Sequence, residues 1–417
     1  MIFYLTLFLT IFFFFKPSWF FSSVNIFFIF LFITQDYFGW YPSDYKVIFK
    51  YKGDTLMVVA FIYILVNFKD KIFREIVVNL KPLYISYFTM MAVYLFCYFF
   101  NIYDENKNLL SSRIFFYFPI LITAFTLCLV DCLKSNFFSK NYEKLLLVFS
   151  LVILVLNYII LTNPDHTQYF NSYVSITRFD QSRVLQGGVV CIILSLVSKT
   201  MLFGKINRSG IKKLYLYLSI ISNYIVIGFI GQGRTLFISL TLAIVISSLL
   251  TKKIFTSFLF AFTVAFLVIN FSEVYYQSII AMDDQTGNGQ FRLDLLAMIT
   301  DSIKTNFLFG IGIQSKDCMT CLDLPMKDIG IFGDIYFYGF LGITLLITGI
   351  IFAFRNIYKS CSPKQTKDLF ISISVFFFGT MPVISNLISY DAVLMVGTLF
   401  AFLILESENH KNLEGNK

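Results

Sequence analysis

The chain has 417 residues, 57% of them hydrophobic and 19% aromatic, with only 14% charged and a mean hydropathy of +0.75. Average soluble domains carry about a quarter charged residues, so this composition excludes a soluble globular protein and points to one that crosses a membrane many times. The formal net charge of +8 does not indicate nucleic acid, because the basic residues are scattered between apolar segments and form no single basic face.

The expected fold class is therefore all-α, a polytopic membrane protein with about 12–13 transmembrane helices and one large, partly helical extracytoplasmic loop. A bilayer core of about 30 Å calls for about 20 apolar residues in helical form. On that measure the predicted spans are 1–15, 19–35, 55–68, 83–100, 114–133, 145–162, 184–203, 214–231, 235–251, 254–272, 331–354, 369–388 and 391–405, the first, third and last being short. Residues 1–15 run into Lys16 and Pro17 with no small-residue cleavage site, so the first segment is expected to remain as a membrane helix. Residues 1–405 form one transmembrane domain, and the polar tail 406–417, which contains His410, is expected to be disordered in the cytoplasm. Cys97, Cys128, Cys132 and Cys191 lie in or beside apolar segments and read as buried small residues, not as a disulfide framework.

Basic residues orient the chain. The connections 69–81, 134–144, 204–213, 252–253 and 355–368 hold 17 Lys and Arg in 50 residues, against 12 in the 115 residues of 36–54, 101–113, 163–183, 231–234 and 273–330. The first set is predicted to be cytoplasmic, which puts the long loop 273–330 outside. Arginine breaks this pattern: Arg113, Arg178, Arg183, Arg234 and Arg292, five of eight, fall on the outer face. A guanidinium binds carboxylate or phosphate by two parallel hydrogen bonds, whereas lysine acts as a point charge. An anionic partner is expected outside, the alternative being arginines that reach lipid headgroups.

The candidate residues follow from local pattern. Gly231 and Gly233 permit a tight reversal and Thr235 can cap the next helix, which leaves Arg234 at the positive end of a helix dipole, where an anion is favoured and a cation is not. Loop 163–183 carries Asp165, His166, Arg178, Asp180 and Arg183; the arginines flank the next helix start as anion contacts, while His166 reads as solvated. Within 273–330, Phe291, Leu295, Leu296, Ile299 and Ile303 recur at helical spacing behind Gly287 and Gly289. They predict an amphipathic helix on the membrane with Arg292 near its start. Cys318 and Cys321 leave open a structural disulfide, a redox pair or half of a zinc site.

Arg234 after its turn, the Arg292 helix leading to Leu308-Phe-Gly-Ile-Gly312, and Asp328, Gly330 and Gly333 ahead of Gly339 and Gly342 together resemble the bacterial O-antigen polymerases of the Wzy type. The related O-antigen ligases carry a His where this chain has Asp328, eleven positions before Gly339, which favours the polymerase. The resemblance implies a metal-independent, inverting glycosyl transfer at the periplasmic face of the inner membrane, with no cofactor. Glycans on undecaprenyl pyrophosphate would be the substrates, with membrane lipids and a chain-length regulator protein as further partners. It implies that Arg234 and Arg292 act on the pyrophosphate, that Asp328 is the general base, and that Arg178, Arg183 and Asp317 bind substrate. Three rivals stand beside it. A ligase would cap lipid A core. A flippase or transporter would need charges or helix breaks within its spans. A polyprenyl-phosphate glycosyltransferase would use early acids such as Asp36, Asp44, Asp104 and Glu105, which form no tight Asp-x-Asp.

Overall fold

The computed structural model describes residues 26–27, 30–31, 52–100, 113–134, 136–162, 175–178, 181–184, 187–202, 209–231, 234–251, 297, 299–301, 304, 306–312, 330–359, 367–380 and 387–414. They form an all-α bundle with one small β-ribbon. In chain order the elements are α1 (Lys52–Asn67), α2 (Lys71–Phe99), α3 (Arg113–Lys134), α4 (Asn136–Thr162), β1 (Ser175–Arg178), β2 (Gln181–Val184), α5 (Gly188–Leu202), α6 (Gly210–Ile225), α7 (Arg234–Leu250), α8 (Ile331–Lys359), α9 (Lys367–Thr380) and α10 (Tyr390–Glu414). A π-helical turn, Val226–Ile230, continues α6.

Among the described residues five helices are long and apolar enough to cross a membrane: Lys71–Phe99, Tyr117–Lys134, Asn141–Thr162, Gly210–Ile230 and Ile331–Lys359. Leu56–Asn67, Gly188–Leu202 and Leu236–Leu250 are apolar but shorter. Large apolar side chains such as Phe88, Phe99, Val155 and Ile351 are exposed along these helices. So much uncovered apolar surface is what lipid, not water, would cover. The predicted spans 1–15 and 254–272 lie outside the described residues, and 19–35 is described only at Ile26, Phe27, Phe30 and Leu31.

Several helices outrun the expected boundaries and one falls short of them. Residues 69–81 are not a connection, because α2 begins at Lys71 and runs through Pro82. The cause is a buried stripe, Phe73, Ile76, Leu80, Leu83, Tyr87, Met90, Tyr94 and Cys97, whose alternating steps of three and four continue without a break across the charged first turns. Likewise α4 takes in most of 134–144, with a kink at Asn141 (φ −119°), and α8 runs on to Lys359. The residues 406–414, expected as a disordered tail, are helical and complete α10. The predicted span 369–388 stops short, since α9 ends at Thr380, two residues before Pro382, and Leu387–Ser389 are not helical.

α2 and α8 pack closely, and glycines there allow the backbones to approach. A Cβ on Gly349 would sit 2.7 Å from the Ser86 Cβ, and one on Gly342 3.5 Å from the Met90 Cγ. α3 packs on α10, α4 on α6, and α7 on α9. Inside this bundle Ser219 joins three helices, its hydroxyl lying 2.7 Å from that of Ser150 on α4 and 3.1 Å from that of Ser198 on α5.

Candidate functional site at one end of the bundle

The loop expected over 163–183 contains a β-ribbon in its second half, which runs on to Val184. Ser175 pairs with Val184, Ile176 with Arg183, Thr177 with Ser182 and Arg178 with Gln181, antiparallel. The β-branched Ile176, Thr177 and Val184 favour such a ribbon, but its residues carry no apolar–polar alternation that would have revealed it. The register has a consequence for charge. Ile176, Arg178, Gln181 and Arg183 share one face of the ribbon, and Val184 belongs to the other. Arg178 and Arg183 therefore occupy diagonal positions in the register.

Val184 fixes the ribbon to the helices. It is 1% exposed and belongs to the hydrophobic core. Its carbonyl oxygen lies against Gly231, where an added Cβ would meet the oxygens of Val226 at 3.1 Å, Val184 at 3.2 Å and Ile227 at 3.3 Å. Gly231 closes the π-turn by donating its N–H to the Val226 carbonyl at 2.8 Å. A side chain there would crowd three backbone oxygens, which would have to give by a few tenths of an ångström for the ribbon to keep its place. Three residues later α7 begins at Arg234, so the expectation that Arg234 opens a helix holds. The ribbon that carries Arg178 and Arg183 thus abuts the turn that leads into Arg234.

The two glycine motifs ahead of and inside α8 meet each other. At Gly339 the backbone adopts φ 68° and ψ 173°, a conformation essentially restricted to glycine, and α8 is broken there. A broken helix in a membrane must find partners for the freed groups, and the segment 306–312 supplies them. Ile311 and Gly312 donate to the carbonyls of Tyr336 and Phe337 at 2.9 and 3.1 Å, while Phe340 and Leu341 donate to those of Phe307 and Leu308 at 2.8 and 3.1 Å. The rings of Phe307 and Phe340 stack at 5.0 Å. Neither glycine could carry a side chain: a Cβ on Gly310 would sit 2.5 Å from the Gly339 nitrogen, and one on Gly339 would collide with the Leu308 carbonyl. The break lies eight residues beyond Ile331, about 12 Å along the helix.

The first turn of α8 also holds a carboxylate that pattern alone did not single out. Asp334 is 2% exposed and accepts the Leu387 N–H at 2.6 Å, which ties α8 to the non-helical approach to α10. Gly330 (φ 52°) makes the turn before it, accepting from the N–H of Gly333 at 3.0 Å and of Asp334 at 3.3 Å. The ribbon, Gly231, the start of α7, the start of α8 and Leu387 all lie at one end of the bundle. Arg292, Asp317 and Asp328 lie outside the described residues, as do His166, Cys318 and Cys321. No three His, Cys, Asp or Glu side chains come together among the described residues.

At the opposite end lies a charge cluster that was not expected inside the spans. Lys199 on α5 is fully buried and its ammonium donates to Asp368 Oδ1 on α9 at 2.5 Å, to Ser247 Oγ on α7 at 2.6 Å and to Ser372 Oγ at 3.4 Å. All three ammonium protons are placed, which is how a charge is accommodated inside a bundle. A single lysine in an otherwise apolar segment was the available signal. No family model, curated protein or solved structure matches the chain.

Proposed function

We propose that this protein joins lipid-pyrophosphate-linked oligosaccharide repeat units into a surface polysaccharide at the periplasmic face of a bacterial inner membrane. The observation that carries the reading is the contact of the arginine-bearing ribbon with the Gly231 turn, because it groups Arg178, Arg183 and Arg234 at one end of the bundle. Three arginines brought to one end of the bundle by the chain's register suit a multiply charged anion, which their guanidinium groups can bind by paired hydrogen bonds. A diphosphate is such an anion, and it is the leaving group of the proposed reaction.

In this reading an acceptor hydroxyl oxygen attacks the anomeric carbon of the donor glycan from the side opposite its pyrophosphate. The new C–O bond forms as the bond to pyrophosphate breaks, which inverts the configuration. The proton passes to the Asp328 carboxylate, and the arginines, with Arg292, hold the charge that develops on the leaving undecaprenyl pyrophosphate. Asp317 would contact sugar. The test is a lipopolysaccharide gel from a deletion strain, complemented with wild type or with Arg234→Ala. A single repeat on the core in both the deletion and the Arg234→Ala strains is the expected result, whereas no repeat at all would mean a ligase.

One alternative gains from the geometry. A lipid-linked oligosaccharide flippase or other transporter uses buried charges and discontinuous helices, and the chain has a buried Lys199–Asp368 pair and a break at Gly339. Repeat units that accumulate on the cytoplasmic face of the deletion strain would select this reading over polymerisation.

A further inference from the structure

Hydroxyls on these helices mostly bond back to their own backbone. Ser150, Thr200, Ser222, Thr241, Thr251 and Ser372 each donate to the carbonyl four residues earlier. Ser195 on α5 does not: its hydroxyl is fully buried and has no hydrogen-bond partner among the described residues. Asn223 on α6 is also fully buried, and neither its Nδ2 nor its Oδ1 has a partner. These two residues are not scattered. The short connection between α5 and α6 makes them antiparallel neighbours, joined by the Ser198–Ser219 hydroxyl contact of 3.1 Å. One turn from that contact toward the ribbon end, α5 presents Ser195 and α6 presents Asn223.

A carboxamide offers two donors and an acceptor with two lone pairs. Inside a bundle such a group is bonded to protein or to ordered water, and a dry carboxamide beside a dry hydroxyl leaves several strong groups stripped of water with nothing in exchange. Asn223 lies three residues before the π-turn, a distortion that often accompanies functional sites. We infer that ordered water occupies the space between α5 and α6 at this level, bonded to the Asn223 amide and the Ser195 hydroxyl. This buried hydrated site lies about 12 Å inside the Gly231 turn, eight residues along the helix. It forms the floor beneath the ribbon and does not depend on the reaction proposed above.

The experiment is X-ray hydroxyl-radical footprinting of the full-length protein in lipid nanodiscs, read by mass spectrometry. Water held in a buried site produces radicals there, so peptides covering 192–198 and 220–227 are expected to be oxidised although they are buried. The core residues Leu80 and Leu83 of α2 serve as the dry reference. Oxidation at the dry-reference level would overturn the inference. Two variants extend the test. Ser195→Ala removes one anchor and should lower labelling at least twofold, and Asn223→Leu fills the site, so it should abolish labelling and lower the Tm. A dry site predicts the reverse for Asn223→Leu, a higher Tm from the removal of partnerless polar atoms, with labelling unchanged.

Discussion

Lys199 can be removed in a way that separates a buried charge pair from a mere polar contact. Lys199→Met keeps most of the side-chain volume but takes the ammonium away from the buried Asp368 carboxylate, which is 7% exposed and has Thr251 Oγ1 at 3.5 Å. Breaking a buried pair from one side costs about 3–5 kcal/mol, because the surviving charge is stranded. At the lower end of about 2–4 °C per kcal/mol, suited to a chain of this size, the loss is roughly 6–10 °C in Tm. Asp368→Leu should cost a similar amount through the stranded ammonium. The double variant Lys199→Met with Asp368→Leu strands neither charge, so it should recover most of the loss, and replacement of such a pair by apolar residues is often neutral. The assay is the melting of detergent-solubilised protein followed by fluorescence-detected gel filtration, with all four forms of the cycle compared. Additive losses in the double variant, or a Lys199→Met shift below about 2 °C, would refute the idea that the two charges hold α5, α7 and α9 together.

Three further outcomes follow from the site. Gly339→Ala forces a side chain into a glycine-only conformation and against the Leu308 carbonyl, so it should cost more than about 3 kcal/mol and deplete the protein from membranes; Gly342→Ala, whose Cβ would meet Tyr338 Cβ at 3.0 Å, is the milder control, and equal levels of the two would argue against the seat. Asp334→Asn keeps an oxygen to accept the Leu387 N–H and should stay within about 1 kcal/mol of wild type, whereas Asp334→Leu should lose about 1–3 kcal/mol by leaving that N–H buried and unpaired. Gly231→Ala would push the ribbon off its seat, so polysaccharide chain length should collapse while the Tm falls by less than about 3 °C, since the ribbon adds little core; normal chain length would detach the ribbon from the activity.

The sequence revealed the helical class because twenty-residue apolar runs have few other solutions in lipid. It was poorer at helix ends, since apolar content marks where lipid stops, not where hydrogen bonding stops. α2 shows this best: its charged first turns keep burying Phe73, Ile76 and Leu80, so the helix outlasts the apolar run. Within the candidate site, glycines were the most readable residues. Gly310, Gly312 and Gly339 were noted as short motifs, and positive φ values with backbone contacts account for all three. What spacing could not convey was that the first motif seats in the gap opened by the last, because that pairing depends on a three-dimensional meeting of residues some thirty positions apart. Asp334 and Lys199 were hidden for a similar reason. A single charge in an apolar run becomes informative only when its partners elsewhere in the chain, Leu387 and Asp368, are known.

The seating of 306–312 in α8 also changes the length of chain that matters outside the bundle. Residues 273–330 read as one span of 58, yet backbone bonds at Ile311 and Gly312 divide it. The seventeen residues 313–329, which include Asp317 and Asp328, are tied to the same helix at both ends, through Gly312 on one side and Gly330 on the other. Closing a short loop costs less conformational entropy than closing a long one, by about 0.6 kcal/mol per halving of length. By chain length alone, a carboxylate within these seventeen residues has a higher local concentration at α8 than one in the middle of a 58-residue span. Lengthening 313–329 with a flexible insert would dilute that local concentration without touching any side chain, whereas the same insert placed in 273–290 would leave it unchanged.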